Sequence, residues 1–297
     1  MKIFVTGSES FIGKVFLDLC RKNGVSAFGI DLNAPRRHDC VAADIRSPAI
    51  ADLIPDGTDA LVHLAAVSRD ADCRANPRLA YDINVMGTVN LIESARARGV
   101  KQFVFASSEW VYGEVANQGT QTEDRPIDVT RLKSEYAFSK LAGEQILKLA
   151  HAQGFPGITI LRFGIVYGPR AQNWSAVESL LNAVQNGGKV RVGSRSTARR
   201  FIHVADIASG LLAALGREGC EIFNLCGDRL ITLGQVIDEG IRVLGTRVDV
   251  EETSADLVSI RNPDNTRARA ILDWQPRMDL ARGVRDVLTF LRVKEAA

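Results

Sequence analysis

Tyr136 and Lys140 are the pair of residues whose types and spacing most directly suggest chemistry. They lie in the segment 134–147, which contains no proline and predicts a helix. Residues four apart share one face of a helix, so the phenol and the ammonium are neighbours. A nearby cation lowers the pKa of a phenol from its ordinary value of about 10, which would make Tyr136 a general base. The alternative is a chance match on a helix that only supports the fold.

A glycine-containing turn follows the first apolar segment. Residues 2–6 predict a buried strand, Gly7 and Gly13 bound the turn, and the helical pattern that follows ends near Gly24. The free N–H groups at such a helix N-terminus bind pyrophosphate. Asp31 closes the next predicted strand, where a carboxylate accepts hydrogen bonds from a ribose and repels a 2′-phosphate. The pattern predicts NAD, with NADP less favoured; the alternative is a turn whose glycines serve packing alone.

The same alternation of strand and helix continues through the first half of the chain. Apolar runs at 59–63, 101–106 and 157–161 predict strands, and 79–98 predicts a long helix. Strands that alternate with helices predict an α/β fold built on a doubly wound parallel (Rossmann) sheet.

The rhythm of the elements loosens beyond Arg162. We therefore expect an NAD-binding Rossmann domain at 1–165, to which the segment 200–219 returns. A smaller, partly interleaved α/β substrate-binding domain is expected at 166–297.

The overall composition excludes several classes of function. The formal net charge of the 297 residues is +2, which gives no broad electrostatic reason to expect nucleic acid or an anionic membrane as a partner. No apolar run reaches the length of a membrane span, and the N-terminal segment is too short for a signal peptide. The five cysteines and four histidines are scattered without metal-ligand spacing. A cytoplasmic protein with free thiols and no metal is expected.

Three sequence features are predicted to meet at one edge of the sheet. Ser107 and Ser108 end one predicted strand, the Gly7–Gly13 turn ends another, and Tyr136 opens the helix before the next strand. Ligands of open α/β sheets bind beyond the carboxyl ends of the strands. The residues 113–133 form a long irregular segment nearby, which is typical of a functional loop. This convergence favours the catalytic interpretation of Tyr136.

With these features the chain resembles the extended short-chain dehydrogenase/reductases, specifically the nucleotide-sugar epimerase/dehydratase group. The matching pieces span nearly the whole chain and keep the order of that family. They are Thr6-Gly-Ser-Glu-Ser-Phe-Ile-Gly13, Asp31, Asp44-Ile45, His63-Leu-Ala-Ala66, Asn84-Val-Met-Gly87, Ser107-Ser-Glu-Trp-Val-Tyr-Gly113, Tyr136-x-x-x-Lys140, Leu161-Arg-Phe-Gly-Ile-Val-Tyr-Gly-Pro169, Arg200-Phe-Ile-His-Val-Ala-Asp206, Phe223-Asn224 and Leu272-Asp-Trp-Gln-Pro276.

The resemblance implies a role for each matching position. Tyr136 would be the base, Lys140 would bind the nicotinamide ribose and lower the Tyr136 pKa, and Ser108 would hold the reacting sugar hydroxyl. Arg200, together with Arg261, would contact the substrate diphosphate, and Ser68 would lie near the substrate. The implied cofactor-binding residues, besides Tyr136 and Lys140, are Gly7, Ser10, Phe11, Ile12, Gly13, Asp31, Asp44, Ile45, Leu64, Ala65, Ala66, Phe163 and Ile165.

Three positions depart from the pattern of that family. Ser10 replaces a glycine of the turn, and Ile165 stands where many members have an asparagine that contacts the substrate. Glu109 and Trp110 stand where sugar dehydratases carry an acid and a base, so only one carboxylate of that pair is present. Glu109 is either a second acid/base and substrate contact or an ion-paired loop residue.

The resemblance implies an NAD-dependent enzyme that acts on a nucleotide-sugar through transient hydride transfer, with 4-epimerisation favoured. The alternatives are a keto-sugar reductase, a dehydratase or decarboxylase of the same family, and a non-catalytic dinucleotide-binding protein. Relatives in this family dimerise through two helices per subunit. A homodimer through a four-helix bundle, built from the helices at 79–98 and 136–151, is therefore expected.

Overall fold

The computed structural model describes residues 1–113, 119–172 and 174–295. Within these ranges the strands are β1 (Lys2–Thr6), β2 (Ser26–Asp31), β3 (Cys40–Ala42), β4 (Ala60–His63), β5 (Gln102–Ser108), β6 (Gly157–Phe163), β7 (Val166–Tyr167), β8 (Lys189–Val192), β9 (Ala198–Arg199), β10 (Ile202–His203), β11 (Gly219–Leu225), β12 (Ile231–Thr232) and β13 (Asp249–Glu252).

The α-helices of the same ranges are α1 (Phe11–Lys22), α2 (Ile50–Leu53), α3 (Asp70–Ala75), α4 (Pro77–Tyr81), α5 (Gly87–Ala97), α6 (Glu135–Ala152), α7 (Ala176–Asn186), α8 (Val204–Ala213), α9 (Leu233–Leu244), α10 (Thr266–Leu272) and α11 (Leu280–Glu295). A π-helical turn at Asp82–Met86 joins α4 to α5, and short 3₁₀ turns lie at Glu109–Tyr112 and Val129–Arg131.

Seven strands form a single parallel sheet in the order β11-β6-β5-β4-β1-β2-β3. The chain winds outward from β1 in one direction through β2 and β3, and in the other through β4, β5, β6 and β11. The strand order therefore reverses between β1 and β4, where open α/β sheets form a ligand crevice. This architecture confirms the predicted doubly wound fold.

The central strands are buried on both faces, and alternate side chains point to opposite sides of the sheet. In β1, Ile3 and Val5 join the core beneath α1 and α8, whereas Phe4 joins the core beneath α5 and α6. A third apolar cluster lies among α7, α9, α11 and β8. The sheet is thus fixed between helical layers, which is the covering that a fully parallel sheet requires.

The edge strand β11 comes from the second half of the chain and pairs with β6 along its whole length. It begins where the predicted return segment 200–219 ends, and α10 contributes Ala268 and Leu272 to the same core as α8. The chain therefore crosses back to the sheet over a longer stretch than that segment. The division into domains at residue 165 stays a prediction.

The predicted helix at 79–98 is interrupted in the structure. Its first part is α4, its last part is α5, and the π turn Asp82–Met86 between them carries one extra residue per turn. The predicted Tyr136 helix is α6, where the Ser134 hydroxyl caps the N-terminus by accepting a hydrogen bond from the Ala137 N–H. Part of the expected loop, residues 114–118, lies outside the described residues.

No helix in the described part of the chain is both long and apolar enough to cross a bilayer. The described residues also contain no group of three or more His, Cys, Asp or Glu side chains that could hold a metal ion.

Candidate active site

A cavity of about 1020 Å³ opens at the carboxyl ends of the central strands. Its position beside the reversal of strand order is the one expected for a dinucleotide. Fifteen of the predicted site residues line it: Gly7, Ser10, Phe11, Ile12, Asp31, Asp44, Ile45, Leu64, Ala65, Ala66, Ser68, Ser108, Tyr136, Phe163 and Ile165. The predicted residues Gly13, Lys140, Glu109 and Arg200 are not among the described residues of its lining.

The turn between β1 and α1 has no space for side chains. Gly7 has a φ of +72°, and a Cβ on it would meet the Ala65 backbone nitrogen at 2.7 Å. A Cβ on Gly13 would lie 2.2 Å from the Gly7 carbonyl oxygen. Gly13 does not line the cavity, but its lack of a side chain lets α1 pack closely against the turn. Gly7 lines the cavity, where its backbone forms part of the wall.

The N-terminus of α1 faces this wall and is suited to an anion. No acidic residue lies in the first turn of the helix, so its positive dipole end is not neutralised there. Ser10, which replaces the usual glycine, is the N-cap and accepts a hydrogen bond from the Gly13 N–H at 3.1 Å. The serine that replaces glycine at position 10 thus caps the N-terminus of α1, and the helix N-terminus can still bind a pyrophosphate.

Asp31 lies at the end of β2, where its carboxylate accepts hydrogen bonds from the backbone N–H groups of Glu9 and Asn33 at 3.2 and 3.1 Å. These bonds hold the carboxylate at the cavity edge in the place expected for a ribose contact. Asp44 lies farther along the same wall and pairs with Arg46, whose guanidinium lowers the Asp44 pKa. The residues present therefore fit an adenine dinucleotide without a 2′-phosphate.

Ser108 and Tyr136 are brought together at the opposite end of the cavity. The Ser108 hydroxyl lowers the pKa of the phenol, which opposes the effect of burial. Burial nevertheless dominates and raises the pKa of Tyr136 to about 12. Ser108 also caps the 3₁₀ turn after β5, where its hydroxyl accepts a hydrogen bond from the Trp110 N–H at 3.3 Å. This bond holds the Ser108 hydroxyl at the end of the strand.

Lys140 lies behind Tyr136, with its Nζ 5.8 Å from the centre of the Tyr136 ring and 5.0 Å from that of Phe105. Burial lowers the pKa of Lys140 to about 8, because an ammonium loses hydration in this environment. Burial dominates the pKa of Tyr136, and the lowering of that pKa by Lys140 stays a prediction. The two side chains are nevertheless neighbours, as the i, i+4 spacing predicts.

The π turn before α5 holds the cavity wall to the catalytic helix. Asn84 accepts a hydrogen bond from the Val67 N–H at 2.8 Å and donates to the Val67 carbonyl at 3.0 Å. Its amide also donates to the Ser139 hydroxyl on α6 at 3.0 Å. Asn84, which makes these three hydrogen bonds, lies within the π turn, and π turns are often found at functional sites. Helical periodicity gives no signal for it, although Asn84 lies in a family-like motif.

A buried ion pair lies beneath the Ser108 strand end. Arg162 donates from Nε and Nη2 to the two carboxylate oxygens of Glu144 at 2.9 and 2.8 Å. The Ser107 hydroxyl donates to the same carboxylate at 2.6 Å, and Arg162 also donates to the Tyr112 hydroxyl at 3.0 Å. The pair ties β5, α6 and β6 together directly behind the site. Ser107 therefore has a structural position.

The side chains of Glu109 and Trp110 face different parts of the protein, since Trp110 lines the cavity and Glu109 does not. Trp110 lines the cavity, and its ring meets that of Tyr136 edge to face with centroids 6.2 Å apart. Glu109 is fully buried, and Arg199 Nε lies 3.8 Å from its Oε1. This position favours the ion-paired interpretation of Glu109 over direct contact with substrate.

Arg200 is turned away from the cavity and donates from Nε to the Asn262 side-chain oxygen at 2.6 Å. The cavity is lined instead by its neighbour Arg199 and by Arg261, whose guanidinium stacks 4.4 Å from the Trp110 ring. Successive side chains of an extended segment face opposite ways, which is why the two adjacent arginines separate. The cavity lining thus contains Arg199 in place of Arg200, and a contact of Arg200 with the substrate diphosphate stays a prediction.

His63 has a structural position. Its ring nitrogens contact the Thr6 and Thr88 hydroxyls at 2.8 and 3.2 Å. Burial lowers the pKa of His63 to about 3, so the ring is neutral.

Comparison with known proteins agrees with this geometry. The model of a family described as the NAD dependent epimerase/dehydratase family matches residues 3–226. UDP-glucose 4-epimerase of Mycolicibacterium smegmatis is 29% identical over 325 residues, which cover 99% of this chain and 99% of that protein. GDP-6-deoxy-D-mannose reductase of Pseudomonas aeruginosa is 27% identical, with 97% of this chain and 96% of that protein covered.

A solved structure with the same fold is UDP-glucose-4-epimerase from Stenotrophomonas maltophila with bound NAD and formylated UDP-arabinopyranose. It has a TM-score of 0.88 and 23% sequence identity, and all of both chains is covered. The family match extends over most of the chain and includes the turn, Asp31, Ser108, Tyr136 and Lys140. The cofactor is NAD, and the chain belongs to the NAD dependent epimerase/dehydratase family.

Proposed function

We propose that this chain is a nucleotide-sugar 4-epimerase that uses tightly held NAD. The observation that carries the proposal is the presence of Ser108 and Tyr136 together at the cavity wall, with Lys140 one helical turn behind Tyr136. A sugar hydroxyl placed against this pair has a donor, an acceptor and a cation within one small region. That set of groups suits reversible removal of a hydroxyl proton.

Each residue has a distinct task in this scheme. Ser108 holds the reacting hydroxyl, Tyr136 exchanges its proton, and the Lys140 ammonium is the cation that favours the phenolate form of Tyr136. The Lys140 ammonium persists below a pH of about 8, where burial sets its pKa. NAD, when bound, accepts the hydride from the sugar carbon and returns it.

Epimerisation is favoured over dehydration by the carboxylates of the cavity. Elimination of water needs an acid and a base beside the Ser108–Tyr136 pair, and Glu109 lies behind the wall while Trp110 occupies the neighbouring place. Among the described lining residues, the carboxylates are Glu9, Asp31, Asp44 and Asp70. The first three lie toward the cofactor turn, and Asp70 is paired with Arg74 at 2.8 Å.

Two arginines supply the positive charge that a nucleotide diphosphate needs. Arg199 and Arg261 line the cavity beyond Trp110, and guanidinium groups pair well with phosphate oxygens. We assign them the role that the sequence analysis gave to Arg200 and Arg261. Relatives that act on UDP-sugars and GDP-sugars are both found, so the base of the nucleotide is open to a screen.

A homodimer is supported by apolar side chains that lie exposed on two neighbouring helical segments. Phe138 and Leu149 on α6 are 50% and 62% exposed, and Met86 on the π turn is 56% exposed. Burying such a surface against a second copy would remove apolar area from water. The predicted four-helix bundle would place these side chains in its centre. A cytoplasmic location is supported by the five free cysteines, which all lie in the described residues.

The experiment is a screen of the purified protein with UDP-, GDP-, CDP- and dTDP-sugars, followed by mass spectrometry and chromatography. An isomer of equal mass, formed without added NADH, is expected. Tyr136→Phe should lower turnover by a factor of about 10² or more while NAD stays bound. The control Tyr81→Phe, at a tyrosine outside the cavity lining, should retain activity.

The same screen discriminates the alternatives. Stoichiometric consumption of NADH or NADPH would identify a keto-sugar reductase, and loss of water or carbon dioxide would identify a dehydratase or a decarboxylase. Unchanged turnover in Tyr136→Phe would refute the assignment of the base.

A further inference from the structure

Glu109 is a buried carboxylate whose neighbours do not satisfy it. Its side chain is fully buried, and neither carboxylate oxygen has a hydrogen-bond partner among the described residues. A buried charge without hydrogen bonds is costly and persists in native proteins mainly where it has a role. Glu109 follows Ser108 directly, so this carboxylate sits one residue from the reacting pair yet faces the other way.

The charged groups that act on Glu109 are Arg261 and Arg199, two of the four arginines in the described lining of the cavity. Arg199 Nε lies 3.8 Å from Oε1, and the charge of Arg261 also acts on the carboxylate. The Arg199 guanidinium is already anchored by neutral acceptors, because it donates to the carbonyls of Ala198 and Ser259 at 2.8 and 2.7 Å. Arg261 is held by stacking on Trp110. Other contacts thus hold Arg199 and Arg261 in place, and Glu109 influences the two arginines mainly through its charge.

A further ionisable group near Glu109 in the described part of the chain is Cys226. Burial keeps the pKa of the Cys226 thiol well above its usual value, and the negative charge of Glu109 raises that pKa further. Arg200, Asp264 and Glu123 act on the same thiol. For Glu109 itself, burial outweighs the attraction of Arg261 and Arg199 and raises the carboxyl pKa to about 7. The Glu109 carboxyl is thus mostly protonated below a pH of about 7 and mostly ionised above it.

We propose that Glu109 is a positioning residue that acts through Arg199 and Arg261 as a proton-controlled counter-charge for the substrate diphosphate. When Glu109 is ionised, its negative charge competes with the diphosphate for the two guanidinium groups. When Glu109 is protonated, that competition is absent and both guanidinium groups attract the diphosphate more strongly. This inference rests on the proposed function, since it requires a nucleotide diphosphate at these arginines.

The sign of the effect follows from linkage. A bound diphosphate adds negative charge near Glu109, which raises its pKa further and causes uptake of a proton. Affinity is therefore highest below pH 7 and falls as the pH rises through 7. The loss is about tenfold for each unit by which binding raises the Glu109 pKa. The diphosphate diester of a nucleotide-sugar keeps its charge over this range, so the ligand itself adds no pH dependence.

The test is calorimetric titration of the NAD-loaded protein with UDP-glucose, GDP-mannose and dTDP-glucose between pH 5.5 and pH 7.5, below the titration of Lys140. The wild-type protein should bind one of these ligands several-fold more weakly at the upper pH. Glu109→Gln, which keeps the shape and removes the charge, should bind with the same affinity throughout. The control Glu218→Gln, at an exposed carboxylate on the surface, should follow the wild type.

A second measurement needs no variant. At pH 7, the binding enthalpy in buffers of different ionisation enthalpy should reveal uptake of a fraction of a proton. Binding without proton uptake, or a pH dependence that persists in Glu109→Gln, would overturn the inference while leaving the proposed function intact. Failure of all three ligands to bind at any pH would overturn the proposed function, and the inference with it.

Discussion

Replacing Arg162 by methionine would remove one half of the buried ion pair behind the active site. Glu144 would keep the Ser107 hydroxyl as a donor but would lose both guanidinium bonds, at 2.9 and 2.8 Å. Both side chains of the pair are at most 1% exposed, so water cannot take the place of the missing partner. Arg162 also donates to Tyr112, and the Tyr112 hydroxyl would lose that bond as well.

The expected cost follows from these contacts. Removing one partner of a buried ion pair typically destabilises a protein by about 3–5 kcal/mol, because an uncompensated charge stays buried. Domains are commonly stable by about 5–15 kcal/mol, so the variant should lose a large part of its stability. Replacing both partners, as in Glu144→Leu with Arg162→Met, leaves no charge and should cost less than the sum of the two single changes.

Urea unfolding of the two single variants and the double variant, followed by circular dichroism, measures this coupling. Arg242→Met is the matched control, because the Arg242 side chain is 60% exposed where it pairs with Glu239 on α9, and its loss should cost less than about 1 kcal/mol. The reasoning would be refuted if Arg162→Met unfolded at the same urea concentration as Arg242→Met. Strict additivity of the two single changes would refute the ion-pair explanation as well.

Three further predictions concern the cofactor turn, the pH dependence of stability and the dimer. Gly13→Ala places a Cβ 2.2 Å from a backbone carbonyl oxygen and should abolish co-purification of NAD, read from the absorbance of the released nucleotide, whereas Gly119→Ala, with open space around it, should not. Between pH 6.5 and pH 3 the unfolded chain protonates His63 and the folded chain does not, so stability should fall with falling pH by about 1.4 kcal/mol per unit from this group alone; His63→Asn should flatten the slope in acid titrations. Phe138→Glu should convert the proposed homodimer to a monomer in light scattering, whereas Leu257→Glu, at an exposed leucine outside the helices, should leave the mass unchanged.

Local patterns were sufficient to predict the sheet and the cofactor turn. Alternating strands and helices dictate the parallel sheet, and the apolar run before Gly7 leads into a turn where Gly13 has no room for a side chain. The i, i+4 spacing likewise places Tyr136 beside Lys140. These features depend on neighbours in sequence, which is why a single chain reveals them.

Features that depend on distant contacts were not predictable. The edge strand β11 joins the sheet through pairing with β6, and its short apolar pattern does not say which sheet it enters. The orientation of Arg199 into the cavity and of Arg200 away from it depends on contacts with the segment around residue 260. The pKa of Tyr136 is set by burial, which spacing along a helix cannot reveal.

The most direct test of the proposed epimerase uses a nucleotide-sugar that carries deuterium at C4 of the sugar. The purified protein with its bound NAD should convert it to an isomer of equal mass that keeps the deuterium at C4, with no free NADH released. Retention is expected because Tyr136 exchanges only the hydroxyl proton, and the hydride stays within the closed site. A lighter product, deuterium at another carbon, or lasting transfer of deuterium to the nicotinamide would contradict 4-epimerisation.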